Sequence, residues 1–266
     1  MFFSSLTELT ISQGYRRFFK VVPALSDELR AENYRIRHEV YCRELNFESV
    51  QANGLETDSY DSRSLHCLVQ SVASGQFVGC ARLVLVDPDD PQQLLPVEIS
   101  CANTLDRSII DPLKIDRSSI AEISRLAVIG SYRRRKTDQG RPISIAEEDF
   151  GTEKQPRQPY LAIAVYLCLI AMARHYGLTR LFLLTERRLA MNLSRLGVNV
   201  QQIGGPVEHR GERIPSMIVV DELIDGMNFL VRALFEIVSR EVKEGLRAAG
   251  PHVVRAGHRP LSLPDL

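Results

Sequence analysis

Apolar and polar positions alternate in blocks along the first half of the chain and predict one helix followed by three strands. The segment SDELRAENYRIRHEVYCREL begins with Ser26 as an N-cap and has acidic residues in its first turn, which is typical of a helix. The runs SLHCLVQSV and FVGCARLVLV predict two strands joined by a hairpin turn at residues 73–76. The run SIAEISRLAVI predicts a third strand.

The second half of the chain predicts helices that alternate with strands. Residues 161–173, LAIAVYLCLIAMA, favour a buried helix, because this apolar run is shorter than the ~20 residues needed to cross a bilayer. Strands are predicted at TRLFLLTE, VNVQQIGG and IPSMIVVDE, with a helix at RRLAMNLSRLG. The segment ELIDGMNFLVRALFEIVSREVKEGLRAAG predicts one long amphipathic helix. The whole pattern is typical of a mixed α/β protein.

Changes in composition along the chain predict three parts. We expect an N-terminal extension at residues 1–24, a central domain at residues 25–225, and a C-terminal helix with a loose tail at residues 226–266. Residues 131–159 are rich in glycine, proline and charge, and they predict a long excursion from the central domain.

The composition is that of an ordinary globular protein with 266 residues, 44% of them hydrophobic and 25% charged. Lys plus Arg and Asp plus Glu both number 33, so net charge gives no reason to expect nucleic acid or a membrane as partner. The five cysteines form no CxxC pair, which favours reduced, buried thiols. The N-terminus lacks the features of a signal peptide. We therefore expect a cytoplasmic protein without stable membrane insertion.

Several common catalytic motifs are missing from the sequence. The six histidines have no metal-ligand spacing, so we expect no metal site. His66 and Cys67 are adjacent in a predicted strand and face opposite ways, which disfavours a Cys–His nucleophile. The sequence has no GxSxG, GxGxxG or Walker motif, and we expect no tightly bound cofactor.

Polar residues interrupt two of the predicted apolar strands. By strict alternation, Glu122 and Ser124 share one face of the third strand, and Ile123 and Arg125 share the other. Arg82 interrupts GCARLVL in the neighbouring strand. A charge buried alone costs several kcal/mol, so these side chains need partners. A structural ion-pair network and a functional site both satisfy that need.

The order of these polar residues resembles the acyl-homoserine lactone (autoinducer) synthases. Four ordered blocks carry the resemblance across about residues 35–130: RIRHEVYCRELNFES, GLETDSYD, GCARLV and EISRLAV. It implies substrate-binding roles for Arg37, Tyr41, Phe47, Asp58, Asp61 and Arg82. It implies catalytic roles for Glu122, Ser124 and Arg125. Phe47 replaces the Trp usual in those synthases, and the excursion at residues 131–159 is longer than theirs.

A second resemblance covers more of the chain, about residues 15–220. The same blocks, together with YRRRK and LSRLGVNVQQIGGPVEHRGERIP, resemble the acyltransferases associated with the exosortase/PEP-CTERM sorting system. N-acyl amino acid synthases are a further branch of the same superfamily. All of them imply a GNAT-like (acyl-CoA N-acyltransferase) α/β fold, with a central twisted mixed sheet flanked by helices.

The resemblance implies that an amine attacks an acyl thioester, a reaction that needs a base and stabilisation of an oxyanion. Glu122 is the candidate base once burial raises its pKa. Arg82 and Arg125 can hold carboxylate partners or a substrate carboxylate in bidentate geometry.

The two aspartates have more than one possible role. By analogy with the synthases, Asp58 and Asp61 can bind the attacking ammonium or brace Arg37. On local chemistry alone, both fit an N-cap or a turn beside Gly54.

A run of four cations, Arg133, Arg134, Arg135 and Lys136, follows the third strand. GNAT enzymes that use coenzyme A commonly have a glycine-rich loop here, whose amides bind the pyrophosphate. The cationic run lacks G-x-G and favours docking of an acidic acyl carrier protein. A solvated basic loop is the alternative.

The predicted function is an N-acyltransferase that moves a fatty acyl group from acyl carrier protein, or from acyl-CoA, to a small amine acceptor such as an amino acid or derivative. One alternative is an acyl-homoserine lactone synthase that uses S-adenosylmethionine. The other is an acyl-carrier-binding module without catalysis. The apolar helix at residues 161–173 and the strand at residues 181–184 can line an acyl tunnel or form ordinary core.

Overall fold

The computed structural model describes residues 14–87, 89–111, 115–133, 151–152, 155–156, 160–187, 189–191 and 198–250. The strands are β1 (Phe19–Pro23), β2 (Ser64–Ser71), β3 (Phe77–Leu85), β4 (Ile120–Val128), β5 (Gly151–Thr152), β6 (Gln155–Pro156), β7 (Arg180–Thr185), β8 (Gln201–Gln202), β9 (Val207–Glu208) and β10 (Glu212–Val219). The α-helices are α1 (Asp27–Arg37), α2 (Pro96–Ser100), α3 (Arg107–Ile110), α4 (Tyr160–His175), α5 (Val220–Gly226) and α6 (Phe229–Ala249).

Eight of the described strands form one mixed sheet in the order β1-β2-β3-β4-β7-β10-β8, with β9 paired to β10. The neighbours from β1 to β4 are antiparallel, and so are β7 and β10. Strands β4 and β7 are parallel, as expected when a helix such as α4 lies between them in sequence. The sheet therefore consists of two antiparallel halves joined by one parallel pair.

Alternation of side chains gives the sheet two different faces. The first face is apolar and packs against α4 and α6, with Ala81 and Leu83 of β3 beside Ala121 and Ile123 of β4 in one core. The second face is covered by α1 and α2 and has its own smaller apolar clusters. The polar residues of β3 and β4 lie on this second face, because they alternate with the apolar set.

Helix α1 begins where the sequence predicted. The Ser26 side chain accepts a hydrogen bond from the Leu29 amide at 3.3 Å, and Asp27 and Glu28 occupy the first turn. The helix then continues directly into a π-helical segment at His38–Glu44. Such segments are rare and frequently occur at functional sites.

Helix α4 confirms the prediction of a buried apolar helix. Its residues from Leu161 to Ala173 are almost all buried, and Gly177 follows with a positive φ of 67°. Among the residues that the structure describes, we find no helix with the length and apolar character required to cross a membrane.

The predicted long C-terminal helix is wrong, because it is two helices. The chain leaves α5 at Gly226, and Asn228 begins α6 by accepting a hydrogen bond from the Val231 amide at 3.0 Å. An N-cap residue in extended conformation interrupts the helix that the apolar periodicity suggested. Most of the predicted helix at RRLAMNLSRLG, most of the excursion and the tail from Pro251 lie outside the described residues.

One edge of the sheet is strand β1, near the start of the described chain, and helix α6, near its end, packs against this edge. Strand β1 lies within the predicted N-terminal extension and pairs with β2, and α6 packs against it. Glu241 of α6 accepts hydrogen bonds from the Val21 amide and the Tyr15 hydroxyl, both at 2.9 Å. This carboxylate satisfies a backbone donor that an edge strand would otherwise leave open. The division at residues 24 and 225 stays a prediction.

Candidate active site

A β-bulge shapes the middle of β4. Cys80 pairs with Ala127 and Arg82 pairs with Ser124, so two residues of β4 lie opposite the single residue Ala81. One of the two, Arg125, has a positive φ of 52°. The extra residue breaks the alternation of the strand. The prediction that Arg125 faces away from Glu122 and Ser124 is therefore wrong, since the bulge turns it towards the same cleft.

The cleft has a volume of about 330 Å³ and lies where β4 and β7 part. Their parallel pairing runs from Ile120 with Arg180 to Ile123 with Leu183, and the cleft lies beyond that last pair. Its walls include most of the predicted site together with the end of β7 and the turn between β9 and β10: Tyr41, Phe47, Asp58, Arg82, Glu122, Ser124, Arg125, Leu126, Glu186, His209, Arg210 and Arg213.

Arg82 is the centre of the polar network on the second face. Its side chain is 1% exposed. Its Nε donates to Ser124 Oγ at 2.9 Å, its Nη1 to Asp58 at 2.6 Å and to Asp61 at 2.5 Å, and its Nη2 to Asp58 at 2.8 Å. Four hydrogen bonds fix this guanidinium on the strand beside Glu122, as the sequence led us to expect.

Two further arginines complete the network. Arg37 is fully buried; its Nη1 donates to Asp61 at 2.6 Å, and its Nε donates to Glu56. Arg125 contacts Glu56 at 3.2 Å and Asp58 at 3.1 Å. Arg125 also lies 3.5 Å from Glu48, so three guanidiniums meet four carboxylates among the described residues. Glu56 was missed by sequence analysis, although it precedes the two aspartates in the same acidic segment, ETDSYD.

The aspartates of this network are held ionised. Burial favours a raised pKa for Asp58, but the hydrogen bonds and charge of Arg82, with the charges of Arg125 and Arg37, outweigh burial and hold the pKa at about 2. The pKa of Asp61 is also lowered, because its bonds with Arg37 and the charge of Arg82 outweigh its burial. Asp61 thus braces Arg37, and Asp58 also accepts the Tyr60 amide at 3.0 Å as a turn residue does, so both structural roles are present, while binding of an ammonium stays a prediction.

Glu122 lies beside this network but outside it. It is 5% exposed, and its Oε2 accepts the Val97 amide of α2 at 2.6 Å. Burial raises its pKa to about 8, the negative charge of Glu98 adds to this effect, and the Val97 amide and Arg82 oppose it. A carboxyl group with a pKa near the working pH can both accept and donate a proton.

The predicted aromatic residues are stacked at the mouth of the cleft. Tyr41 and Phe47 have ring centroids 6.5 Å apart with 29° between their planes. The Tyr41 hydroxyl donates to the Leu126 carbonyl of the bulge at 2.8 Å. Arg125 lies 5.7 Å from the centroid of Tyr41, and Arg210 lies 5.5 Å from that of Phe47. The aromatic pair is therefore bracketed by two cations.

The turn between β9 and β10 adds residues that sequence analysis missed. His209 and Arg210 line the cleft from this turn, and Arg213 lines it from the start of β10. The Arg213 Nη1 donates to Glu186 Oε1 at 2.9 Å, and Arg210 pairs with Glu48. Their segment, EHRGER, is typical of a solvated turn, and only the pairing of β10 with β7 brings it to the cleft.

Residues 36–141 match the family model described as acetyltransferase (GNAT) domain. No curated protein matches the chain. Among solved structures, TofI in a ternary complex with an inhibitor and MTA is 20% identical, with 82% of this chain and 99% of that chain covered and a TM-score of 0.54. MesI, a CoA-dependent acyl-homoserine lactone synthase, is 20% identical, with 82% and 95% covered and a TM-score of 0.53. FeeM, an N-acyl amino acid synthase from uncultured soil microbes, is 13% identical, with 79% and 94% covered and a TM-score of 0.50.

The protein has the GNAT fold. The mixed sheet flanked by helices and the family model confirm the predicted fold class, and they confirm a GNAT-like acyltransferase domain at that level. The parting of β4 and β7 is the feature of this GNAT sheet that creates the cleft. The roles assigned to individual site residues stay predictions, as does the association with the exosortase/PEP-CTERM system.

The predicted docking cations of the GNAT domain are described only in part. Arg133 pairs with Glu44, and its side chain is 10% exposed. Glu44 also accepts the Gly130 amide at 2.8 Å, so the ion pair fixes the end of β4 to the π-helical segment. Arg134, Arg135 and Lys136 lie outside the described residues. Arg133 therefore has a structural partner within the chain.

In the part of the chain that the structure describes, no group of three or more His, Cys, Asp or Glu side chains could hold a metal ion. The five cysteines are buried and free. Burial raises the pKa of Cys67 and of Cys80, which disfavours a thiolate nucleophile at either position.

Proposed function

We propose that the protein is an N-acyltransferase that moves a fatty acyl group from a thioester donor to the amine of a small acceptor, an amino acid or a derivative of one. The observation that carries the proposal is Glu122, a buried carboxyl group that lines the cleft where β4 and β7 part. A group of this kind, held beside a fixed arginine network, suits proton transfer from an attacking amine.

The proposed reaction has two bond changes. The amine nitrogen attacks the thioester carbonyl carbon, an amide C–N bond forms, and the C–S bond breaks. Glu122 accepts the proton that the nitrogen loses, directly or through water, and the departing thiolate takes up a proton. Ser124 and Arg125 border the same cleft, where a hydroxyl and a cation can stabilise the transient oxyanion.

The donor is proposed to be acyl carrier protein, with acyl-CoA as the alternative. The cationic run at residues 133–136 supports a carrier protein. MesI is described as CoA-dependent, which supports acyl-CoA as the alternative donor. Purified protein should therefore be assayed with acyl carrier protein and with acyl-CoA of the same chain length.

A second candidate function is synthesis of an acyl-homoserine lactone. It is favoured by the four sequence blocks, whose predicted residues lie in one network around the cleft. The two functions differ in whether S-adenosylmethionine is consumed. A carrier-binding module without catalysis is disfavoured, because it would not need a buried carboxyl group in the cleft.

The decisive experiment is mass spectrometry of lipid extracts from cells that express the wild-type protein or Glu122→Gln. We expect N-acylated amines that are present with the wild type and absent with the variant. Acyl-homoserine lactones in their place would support the second candidate. Identical extracts from both cultures would contradict catalysis by Glu122.

A further inference from the structure

The arginines first expected to hold a substrate carboxylate are already occupied. Arg82 donates four hydrogen bonds within the protein and is 1% exposed. Arg125 contacts Glu56 and Asp58 and lies over the Tyr41 ring. With Arg37, these guanidiniums contact four carboxylates, in a network where Arg37 and Arg82 are buried and Arg125 and Asp58 are about one fifth exposed: Glu48, Glu56, Asp58 and Asp61. An incoming carboxylate would have to break this network, and removing one partner of a buried pair is strongly unfavourable.

Two further cations line the cleft, Arg210 and Arg213, and Glu48 links the first of them to the network because it also lies 3.5 Å from Arg125. Arg210 lies in the turn between β9 and β10, where it has a positive φ of 55° and Gly211 one of 96°, and Arg213 lies at the start of β10. Their side chains are 29% and 17% exposed, and each pairs with a carboxylate that is also partly exposed, Glu48 and Glu186 respectively. Partly exposed ion pairs contribute little stability, so a ligand carboxylate can replace one partner at small cost.

The charges that line the cleft favour an anionic ligand. Four guanidiniums border it, Arg82, Arg125, Arg210 and Arg213, whereas the carboxyl groups that line it among the described residues are Asp58, Glu122 and Glu186. Burial and the neighbouring charges of Arg210 and Arg213 lower the pKa of His209, as expected in a locally positive field. Clefts lined by one sign of charge concentrate ligands of the opposite sign.

We propose that Arg210 and Arg213 form the subsite for a free carboxylate of the acyl acceptor. The acceptor is then an amine that carries a carboxylate, and its carboxylate binds the β9–β10 turn while its amine approaches Glu122. This assignment rests on the proposed N-acyltransferase function. It applies equally to a free amino acid and to S-adenosylmethionine, because both carry this group.

The test compares each acceptor with its own carboxamide. Free amino acids, S-adenosylmethionine and the matching carboxamides are assayed as acceptors with the wild type, Arg210→Gln and Arg213→Gln. We expect each substitution to lower kcat/KM for the free acids by about 10-fold to 100-fold, mainly through KM, because a charge-assisted hydrogen bond is lost. Activity with the carboxamides should be low in the wild type and unchanged in the variants. Arg210→Lys should restore part of the preference for acids, since it keeps the charge.

A matched control is Arg240→Gln, an exposed arginine of α6 that does not line the cleft. It should leave the acid-to-carboxamide preference at the wild-type value. Equal use of acids and carboxamides by the wild type would overturn the proposal. A higher KM for the donor instead of the acceptor in the two variants would assign the arginines to a phosphate of the donor, and would also overturn it.

A binding measurement separates this proposal from the proposed function. The same acids and carboxamides are tested for thermal stabilisation of the wild type and of both variants. If the wild type acylates no amine with either donor, the proposed function fails. Stabilisation by acids alone, lost in Arg210→Gln and Arg213→Gln, would still support the subsite. No stabilisation by any acid, together with no turnover, would overturn both.

Discussion

Glu122 is almost fully buried, and its burial determines the pH range over which it gains and loses a proton. Burial raises its pKa to about 8, so near neutral pH it exchanges protons readily. Asp58, the next carboxyl group along the cleft, is held at a pKa of about 2 despite its burial, because Arg82 binds it through both oxygens. Asp58 is therefore a far weaker base, although the two groups border one cleft.

Replacement of Glu122 by Gln should lower turnover by about 10²-fold to 10⁴-fold, the usual contribution of acid–base catalysis. The amide keeps an oxygen that can accept the Val97 hydrogen bond, so the fold should persist. Steady-state kinetics of purified protein measures the first effect, and thermal unfolding checks the second. A fully active variant would place the base elsewhere in the cleft.

The pKa of Glu122 also predicts how stability and activity depend on pH. The folded protein keeps this proton from about pH 4.5 to about pH 8, whereas the unfolded chain loses it near 4.5. Stability from this group is therefore complete below about pH 4.5 and decreases as pH rises to about 8, by something on the order of a few kcal/mol. Over the same interval kcat/KM should increase, because the ionised form is the base.

Thermal unfolding at about pH 6 and about pH 9 tests this sign. The wild type should lose more stability than Glu122→Gln between the two values, because the amide does not titrate. Asp58 gives a control in a different interval: its stabilising contribution is present above about pH 3.8 and is lost towards about pH 2. Equal slopes for the wild type and the variant would show that Glu122 does not have the raised pKa.

Helix α2 is the element that positions Glu122. Its residue Glu98 is buried, accepts the Leu95 amide at 2.8 Å, and receives both Nη groups of Arg117 at 2.9–3.0 Å. Arg117 also donates to the carbonyls of Pro91 and Gln93, each at 2.8 Å. This ion pair fixes the loop before α2, and the helix then presents the Val97 amide to Glu122.

Substitutions of this ion pair should move the pH profile in opposite directions. Glu98→Gln removes a negative charge near Glu122 and should lower the pKa seen in kcat/KM. Arg117→Gln removes the closer cation of Glu98, which keeps only the 3.7 Å contact with Arg107 among the described residues, and should raise the pKa seen in kcat/KM. Both should reduce stability by about 3–5 kcal/mol, since each breaks a buried pair. Shifts of the same sign would indicate a general loss of structure, and the double variant would then measure the coupling.

Elements with strong local signals could be predicted from the sequence, and those fixed by tertiary contacts could not. The Ser26 cap, the β2–β3 hairpin and the apolar helix have such signals and are confirmed. The bulge at Arg125 has none, because a single extra residue in a strand leaves no mark on the apolar pattern. Strict alternation therefore placed Arg125 on the wrong face. The break before α6 does have a local signal, the cap residue Asn228 after Gly226, but the apolar periodicity across it favoured one continuous helix.

The residues of the candidate site could likewise be predicted only where their own segment of the sequence gives a reason to expect them there. Arg82 was expected to need partners because it lies among apolar neighbours, and Arg37, Asp58 and Asp61 were assigned through the resemblance of the four sequence blocks. Arg210 could not be predicted, since its segment is polar throughout and gives no reason to expect a cleft. The ion pair of Arg210 with Glu48 joins residues 162 positions apart in the chain, a separation that no local pattern encodes.

At the scale of the whole molecule, the sheet is two antiparallel halves held together by a short parallel pairing. Strands β4 and β7 pair over residues 120–123 of β4 and then separate. Each half contributes one wall of the cleft: β3 and β4 supply the buried network, and β7 and β10 supply Glu186 and Arg213. We propose that the donor enters where these walls part, near the end of β4.

The last prediction concerns which donor enters there. Arg134 and Arg135, in the cationic run after β4, are proposed to attract an acidic acyl carrier protein, whereas Arg133 already pairs with Glu44. Arg134→Ala combined with Arg135→Ala should raise KM for acyl carrier protein and weaken its salt dependence, because such attraction is screened beyond about 8 Å at physiological salt. Turnover should change little, since neither residue is assigned to the reacting centre.

Arg133→Ala is the matched comparison and should mainly lower thermal stability, because Glu44 loses its cation. If the wild type prefers acyl-CoA and the double variant loses that preference, the two arginines bind a phosphate of the donor. The carrier-protein proposal would then be wrong.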